Sequence, residues 1–469
     1  MDVYFRRDIE VKMEEWYHKK FKNILHVDGA RQVGKTCTIE HFIRNHYQNV
    51  ISINLAKDDY KWFVDALRNS TNNWSKIDVI RFTEMIPNEF RYVDDDSTVI
   101  FLDEIQSDHV VYNYLRSLNR DLKCDVIVSG SYLMMALKQE FFQPAGDFES
   151  ITMYPMSFGE FLNAVSDSLY SEYVRWPENK ITENSLSGMK SLFGLYCEIG
   201  GYPEVIKEFV FSKSLKEAHS AMESIIRTVI LDSQFKLDDI VDAKMLGSVS
   251  RSIIRILIRE KRGSKNIYEA LVKNFQDKPS NRLNKVATAK IIAWLTECHF
   301  LEPVDKYVLP DSTNDYPGEK LYFGDIGALR YYAKDRDFDS SNIDGIIAEN
   351  FVFNAMLKSD YINKFFDYSP HFGVYRDGEI DFFARAKYDR KNYAFEVKSG
   401  NESGNTATKL LKDGVADKLI YFMGNHQHKI DGNVEIVPLF LAERWFDEFP
   451  CETYDIDLSI LDSSKMNLF

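Results

Sequence analysis

Cysteine is scarce and scattered in this chain. Its five cysteines (Cys37, Cys124, Cys197, Cys298 and Cys451) form no C-x-x-C pair. That excludes a disulfide framework and a thiolate zinc site, and suits the reduced thiols of a cytosol. Long apolar runs are missing as well: none approaches the ~20 residues that cross a bilayer, so no membrane partner is expected. The opening stretch MDVYFRRDIEVKMEEW lacks the apolar core of a signal peptide, and a cytoplasmic location is the expectation. Internal repeats and low-complexity tracts are absent, while aromatics at 14% argue against disorder. At 469 residues the chain exceeds what one hydrophobic core serves, so about two to four domains are expected.

Positive charge is also in deficit, with 58 Lys and Arg against 72 Asp and Glu, a net −14. Residues 251–290 run against that trend. They hold 11 Lys or Arg and 3 Asp or Glu, a local +8 that leaves −22 for the remainder. One basic segment in an acidic chain is the footprint of phosphate-backbone contact. The plainer alternative is a solvated helix face.

Residues 29–36, GARQVGKT, fit G-x-x-x-x-G-K-[ST]. Gly29 and Gly34 permit a tight loop in which the backbone N–H groups of Gly29, Ala30, Arg31, Gln32, Val33 and Gly34 turn inward to cradle phosphate oxygens. Lys35 reaches the β- and γ-phosphates, and the Thr36 hydroxyl ligates Mg²⁺. The flanks agree: residues 23–28 read as a buried strand and residues 36–45 as the following helix, whose N-terminus adds partial positive charge. ATP and Mg²⁺ are therefore the expected ligands. Residues 98–102, TVIFL, form a continuous apolar run that suits a parallel strand, and it ends in Asp103 and Glu104. Asp103 is expected to hold Mg²⁺, mostly through water, and Glu104 to orient or deprotonate the attacking water. A further strand at 125–128 leads to Ser129, the expected γ-phosphate sensor, with Ser131 as the alternative. An N-cap role for Ser131 stands beside that reading.

The pattern divides the chain into 1–165, an α/β domain with a parallel sheet; 166–245, a helical connector turned by Gly200-Gly201-Tyr202-Pro203; 246–335, a small helical domain; and 336–469, a second α/β unit. In the third segment, two helices (residues 266–271 and 284–298) precede strands at 299–304 and 320–323. That order fits a winged-helix arrangement whose second helix enters a major groove, although many such domains bind only protein. In the fourth, strands are expected at 380–385, 392–398, 418–423 and 435–440. Glu396 and Lys398 lie two apart and project from one face of their strand. With Asp381 on the neighbouring strand and Glu349 on the preceding helix, a second divalent metal can be shared, and Lys398 can stabilise an attacked phosphate. A structural ion-pair cluster is the competing reading.

GARQVGKT, FLDEIQ, SGS, YPMSFGEFL, GGYPE, KLYFGDIGAL, AENFV, EIDFF and EVKSG follow one another in that order. In these motifs the chain resembles the prokaryotic AAA-superfamily ATPases with a C-terminal domain of unknown function, over nearly its whole length. The resemblance implies a RecA/AAA-type P-loop NTPase core, a winged-helix segment and a small restriction-endonuclease-like domain of the PD-(D/E)XK type. It maps nucleotide residues to Gly34, Lys35, Thr36, Asp103 and Glu104, and nuclease-like residues to Glu349, Asp381, Glu396 and Lys398. One departure stands out: many relatives have Gly-Arg where this chain has Gly146-Asp147. An arginine contact to nucleotide or to a neighbouring subunit must then come from elsewhere, with Arg227 a candidate by position only.

Two functions follow. One is an ATP-hydrolysing protein acting on DNA, its C-terminal domain serving as metal-dependent nuclease or DNA platform. The other is an ATP-gated switch that recruits a protein partner and keeps the nuclease-like fold as an inactive scaffold. The sequence leaves assembly into an oligomer open.

Overall fold

The computed structural model describes residues 4–57, 93–130, 146–236, 243–259, 266–275, 285–309, 318–334, 338–358, 371–376, 378–387, 389–400 and 405–449. Five strands form the first sheet: β1 (Ile24–Gly29), β2 (Asn49–Asn54), β3 (Thr98–Asp103), β4 (Asp125–Ser129) and β5 (Phe148–Met153). Their order is β2-β3-β4-β1-β5 and every pairing is parallel. The three inner strands are buried at every position, as continuous apolar runs between two helical layers must be. The edge strands β2 and β5 are only partly buried.

Two helices against this sheet show their cause in the sequence. Lys35–His46 buries Ile39, Phe42 and Ile43 on one stripe. His109–Asp121 covers the other face through Val111, Tyr112, Leu115 and Leu118. Asp108 caps it by accepting from the N–H groups of Val110 and Val111 at 2.8 and 3.2 Å. After β5 the chain leaves the sheet through a capping box, in which Ser157 Oγ accepts from Glu160 N at 3.0 Å and Glu160 accepts from Ser157 N at 2.7 Å.

The second sheet has eight strands: β6 (Leu301–Val308), β7 (Glu319–Phe323), β8 (His371–Tyr375), β9 (Gly378–Arg385), β10 (Asn392–Lys398), β11 (Lys418–Met423), β12 (Lys429–Asp431) and β13 (Val434–Pro438). They lie in the order β12-β13-β11-β10-β9-β8-β6-β7. The hairpin expected near 300–323 is present, with Leu301 opposite Phe323. It is not a free wing. β6 runs on past the end of the expected strand, and Lys306 and Tyr307 pair in parallel with Phe372 and Gly373 of β8. The hairpin is thereby the edge of the C-terminal sheet, which crosses the domain boundary expected at 335/336. Four extra residues make the difference, because they give the free edge of β6 its backbone partner.

One buried apolar cluster runs from the β1 residues Leu25 and Val27, through the helical middle of the chain, to Phe395 and Phe422 in the second sheet. Gly200 and Gly201 lock this junction. Gly201 O accepts from Met156 N at 2.6 Å, and Gly201 N donates to Asp325 Oδ2 at 2.7 Å. A Cβ at Gly200, whose φ is +79°, would collide with Asp325 and the backbone of Gly327. The GGYPE and KLYFGDIGAL motifs are thus two halves of one contact.

Candidate functional site

β1 delivers Gly29 and the loop to the N-terminus of the helix Lys35–His46, where Gly34 takes a left-handed φ of +97°. Gln32 is left-handed as well, at +61°. Lys35 Nζ donates to Gly29 O and Ala30 O, each at 2.7 Å. Burial pulls its ammonium below the ordinary value, while Glu104, Asp28 and Asp103 act in the opposite sense. β4 lies between β1 and β3, so Ser129 ends beside Asp103. Asp103 is the hub: Thr36 Oγ1 donates to Oδ2 at 3.0 Å, Asn54 Nδ2 donates to Oδ2 at 2.8 Å, and Ser129 Oγ donates to Oδ1. Glu104 has left the sheet with a φ of +57° and accepts from Gln106 Nε2.

The residues expected at this site therefore converge, from Gly29 to Thr36 and at Asp103, Glu104 and Ser129. Ser131 lies outside the described residues. Glycine N–H groups, a lysine and a Thr–Asp pair form the donor set that a triphosphate with Mg²⁺ requires, so the fit is good. Arg227 is exposed and pairs with Glu223 at 3.8 Å, while Asp147 pairs with Arg116 at 3.1 Å.

Several contributors carried no motif. Arg7 is buried behind the loop and donates from Nε to Glu160 Oε1 at 2.9 Å, from Nη1 to Val33 O at 2.6 Å and from Nη2 to Tyr154 O at 2.7 Å. Asp232 pairs with Arg31 of the loop at 2.7 Å. Trp294 and Glu297, on the helix Lys285–Glu297, line the cleft opposite Lys35 and Glu104. This is the helix expected to enter a groove; its Ile291, Ile292 and Trp294 are buried. Of the eleven basic residues in 251–290, Lys261, Arg262, Lys265, Lys278 and Arg282 lie outside the described residues.

His299 joins this helix to the loop. Its Nδ1 lies 2.8 Å from Glu302 Oε1 and its Nε2 lies 3.5 Å from Asp28 Oδ2, next to Gly29. Burial alone would lower its pKa, but hydrogen bonds and charge from Asp28 and Glu302 prevail and push it up to about 10. The folded state thus favours the imidazolium over the ordinary value of about 6.5. Its stabilising effect is full below about pH 6.5 and is lost as pH rises towards about 10. In urea titrations the stability gap between wild type and His299→Gln should be wide at pH 6 and narrow by pH 10; a gap independent of pH would refute this.

The C-terminal residues also assemble. Glu349 comes from the helix Ser340–Lys358, Asp381 from β9, and Glu396 and Lys398 from β10. Lys398 Nζ lies 2.7 Å from Glu396 Oε1 and 3.9 Å from Asp381 Oδ2, and Asp381 Oδ2 accepts from Val397 N at 2.7 Å. Three residues were not foreseen. Glu379 joins Glu349 and Asp381, with one oxygen of each within 4.8 Å of the others. Lys320 Nζ bonds Glu349 Oε1 at 3.1 Å and also Glu379, and Tyr322 OH bonds Glu349. Period-two spacing carried that signal, since Glu379 shares a strand face with Asp381, and Lys320 with Tyr322. Burial pushes the Glu379 carboxyl up to about 7 and Asp381 well above its ordinary value, with the neighbouring carboxylates adding to it. Four acids sharing two ammonium groups suit a divalent cation.

Residues 21–162 match the family model described as the AAA domain, a span that includes all five strands of the first sheet. A Haemophilus influenzae protein described as an uncharacterized protein is 22% identical over 430 residues, 88% of this chain and 92% of its own length. Among solved structures, the RuvB Holliday junction branch migration motor of Thermotoga maritima is 12% identical, covers 63% of this chain and 86% of its own, and has a TM-score of 0.26. The Aeropyrum pernix ORC1 protein in complex with DNA is 11% identical, covers 71% and 94%, and has a TM-score of 0.30. Likeness at this level carries no functional weight. No helix among the described residues is long and apolar enough to cross a membrane.

Proposed function

We propose that this chain binds and hydrolyses ATP as a protein of the AAA superfamily and couples its nucleotide state to DNA binding or processing. The observation that carries the reading is the meeting of Lys35, Thr36, Asp103, Glu104 and Ser129 at the carboxyl ends of β1, β3 and β4. Lys35 exchanges its loop carbonyls for the β- and γ-phosphate oxygens. Thr36 and Asp103 would hold Mg²⁺, which when bound offsets charge on those phosphates. Glu104 takes the proton of the attacking water, and Ser129 donates towards the γ-phosphate. Support for coupling comes from Trp294, Glu297 and His299, which bring the third segment of the chain against the loop.

At the C-terminal cluster, Glu349, Glu379, Asp381 and Glu396 would hold a divalent metal, with Lys398 beside the attacked phosphodiester. Filter binding across a salt series tests the DNA reading. Affinity should be highest at low salt, and its absence there overturns the reading. Supercoiled plasmid with Mn²⁺ tests processing: nicking is expected from wild type and lost in Asp381→Ala. DNA binding without nicking would leave a platform, and neither result would favour the ATP-gated switch with a protein partner.

A further inference from the structure

Lys320 takes no part in the chemistry above, yet it is only 4% exposed and its ammonium sits inside the carboxylate cluster. Of the three acids whose oxygens converge, it holds two, Glu349 and Glu379. Tyr322, on the same face of β7, bonds Glu349 as well. A fourth acid, Glu396, is 5% exposed, and its Oε2 has no hydrogen-bond partner among the described residues. Glu396 follows Phe395, which pairs with Phe382, so it faces Asp381 across the β9–β10 ladder. A buried, unpartnered carboxylate oxygen beside three converging acids is an acceptor set left for a cation.

We propose that Lys320 is a tethered cation that competes with a divalent metal for Glu349 and Glu379, so that metal enters as the ammonium withdraws. The inference rests on reading this cluster as a metal site. A metal bonds such oxygens at about 2.0–2.6 Å, and an ammonium on the same oxygens would stand within a few ångströms of it, where like charges repel strongly. Lysine suits the task because its compact charge rides on a flexible stem. β7 is the last strand of the described sheet, and the Phe372 ring, its centroid already 5.0 Å from Nζ, attracts the ammonium independently of the acids. Lys320 also sits on the β6–β7 ribbon that reaches the nucleotide loop through His299: Glu302, which bonds His299, lies opposite Tyr322, and Val304 lies opposite Lys320.

The test is Mn²⁺ binding to the full-length, nucleotide-free chain, read from the electron paramagnetic resonance of free Mn²⁺. Lys320→Met should tighten binding about tenfold or more, and Asp381→Asn added to it should remove the gain. If Lys320→Met binds Mn²⁺ no better than wild type while Asp381→Asn still weakens it, the lock is overturned and the metal site stands. If Asp381→Asn changes nothing in either background, both fall. A measurement on the wild type covers the case of a variant that does not fold. Acetylation footprinting should find Lys320 protected without metal and modified at saturating Mn²⁺; protection in both conditions overturns the lock.

Discussion

Glu104→Gln is expected to bind ATP as wild type does and to hydrolyse it about 10²–10⁴-fold more slowly, the usual worth of a positioned general base. Glutamine keeps the size of the side chain and a carbonyl that can still accept from Gln106 Nε2, so the local fold has no reason to change. What it cannot do is take a proton from water. Lys35→Ala separates binding from turnover, because it removes the ammonium that now rests on Gly29 O and Ala30 O. Its affinity for ATP should fall, whereas that of Glu104→Gln should not. Calorimetry gives the binding and single-turnover phosphate release gives the rate. Equal rates in wild type and Glu104→Gln would remove Glu104 from the role of base.

Arg7→Ala is expected to cost about 3–5 kcal/mol, as breaking one side of a buried ion pair does. The guanidinium makes three bonds in a space where Arg7 and Glu160 are 5% and 6% exposed. Without it, Glu160 still accepts from the backbone N–H groups of Asp8 and Ser157 but is left buried without its counter-charge. Val33 O, in the middle of the phosphate loop, loses its donor. The denaturation midpoint should drop sharply, and the double variant with Glu160→Gln should recover part of the loss. A midpoint unchanged within error would show that the pair contributes nothing to stability.

These two predictions differ in how far the sequence foretold them. Glu104 was legible because an apolar run ending in two acids, placed after GARQVGKT, has few other uses. Arg7 was not, because its partners lie 26, 147 and 153 positions away and no local period marks it. The Ser157–Glu160 capping box stood open in YPMSFGEFL and could have been read from spacing alone. Glu379 and Lys320 fall between these cases: their strand faces were legible, but not that β7 would bring a lysine among the acids of β9 and β10.

By itself the sequence determined the strand–loop–helix that carries the phosphate loop, the acids closing β3, the parallel inner strands and the faces on which Asp381, Glu396 and Lys398 project. Each of these follows from local periodicity or from a motif whose spacing is set by backbone geometry. The tertiary structure alone decided that the 299–323 hairpin joins the C-terminal sheet, that the helix Lys285–Glu297 faces the nucleotide cleft, and that Arg7 and Lys320 enter buried charged clusters. Those outcomes depend on which unpaired strand edge finds a partner and which buried charge finds a counter-charge, and both are settled between residues far apart in the chain.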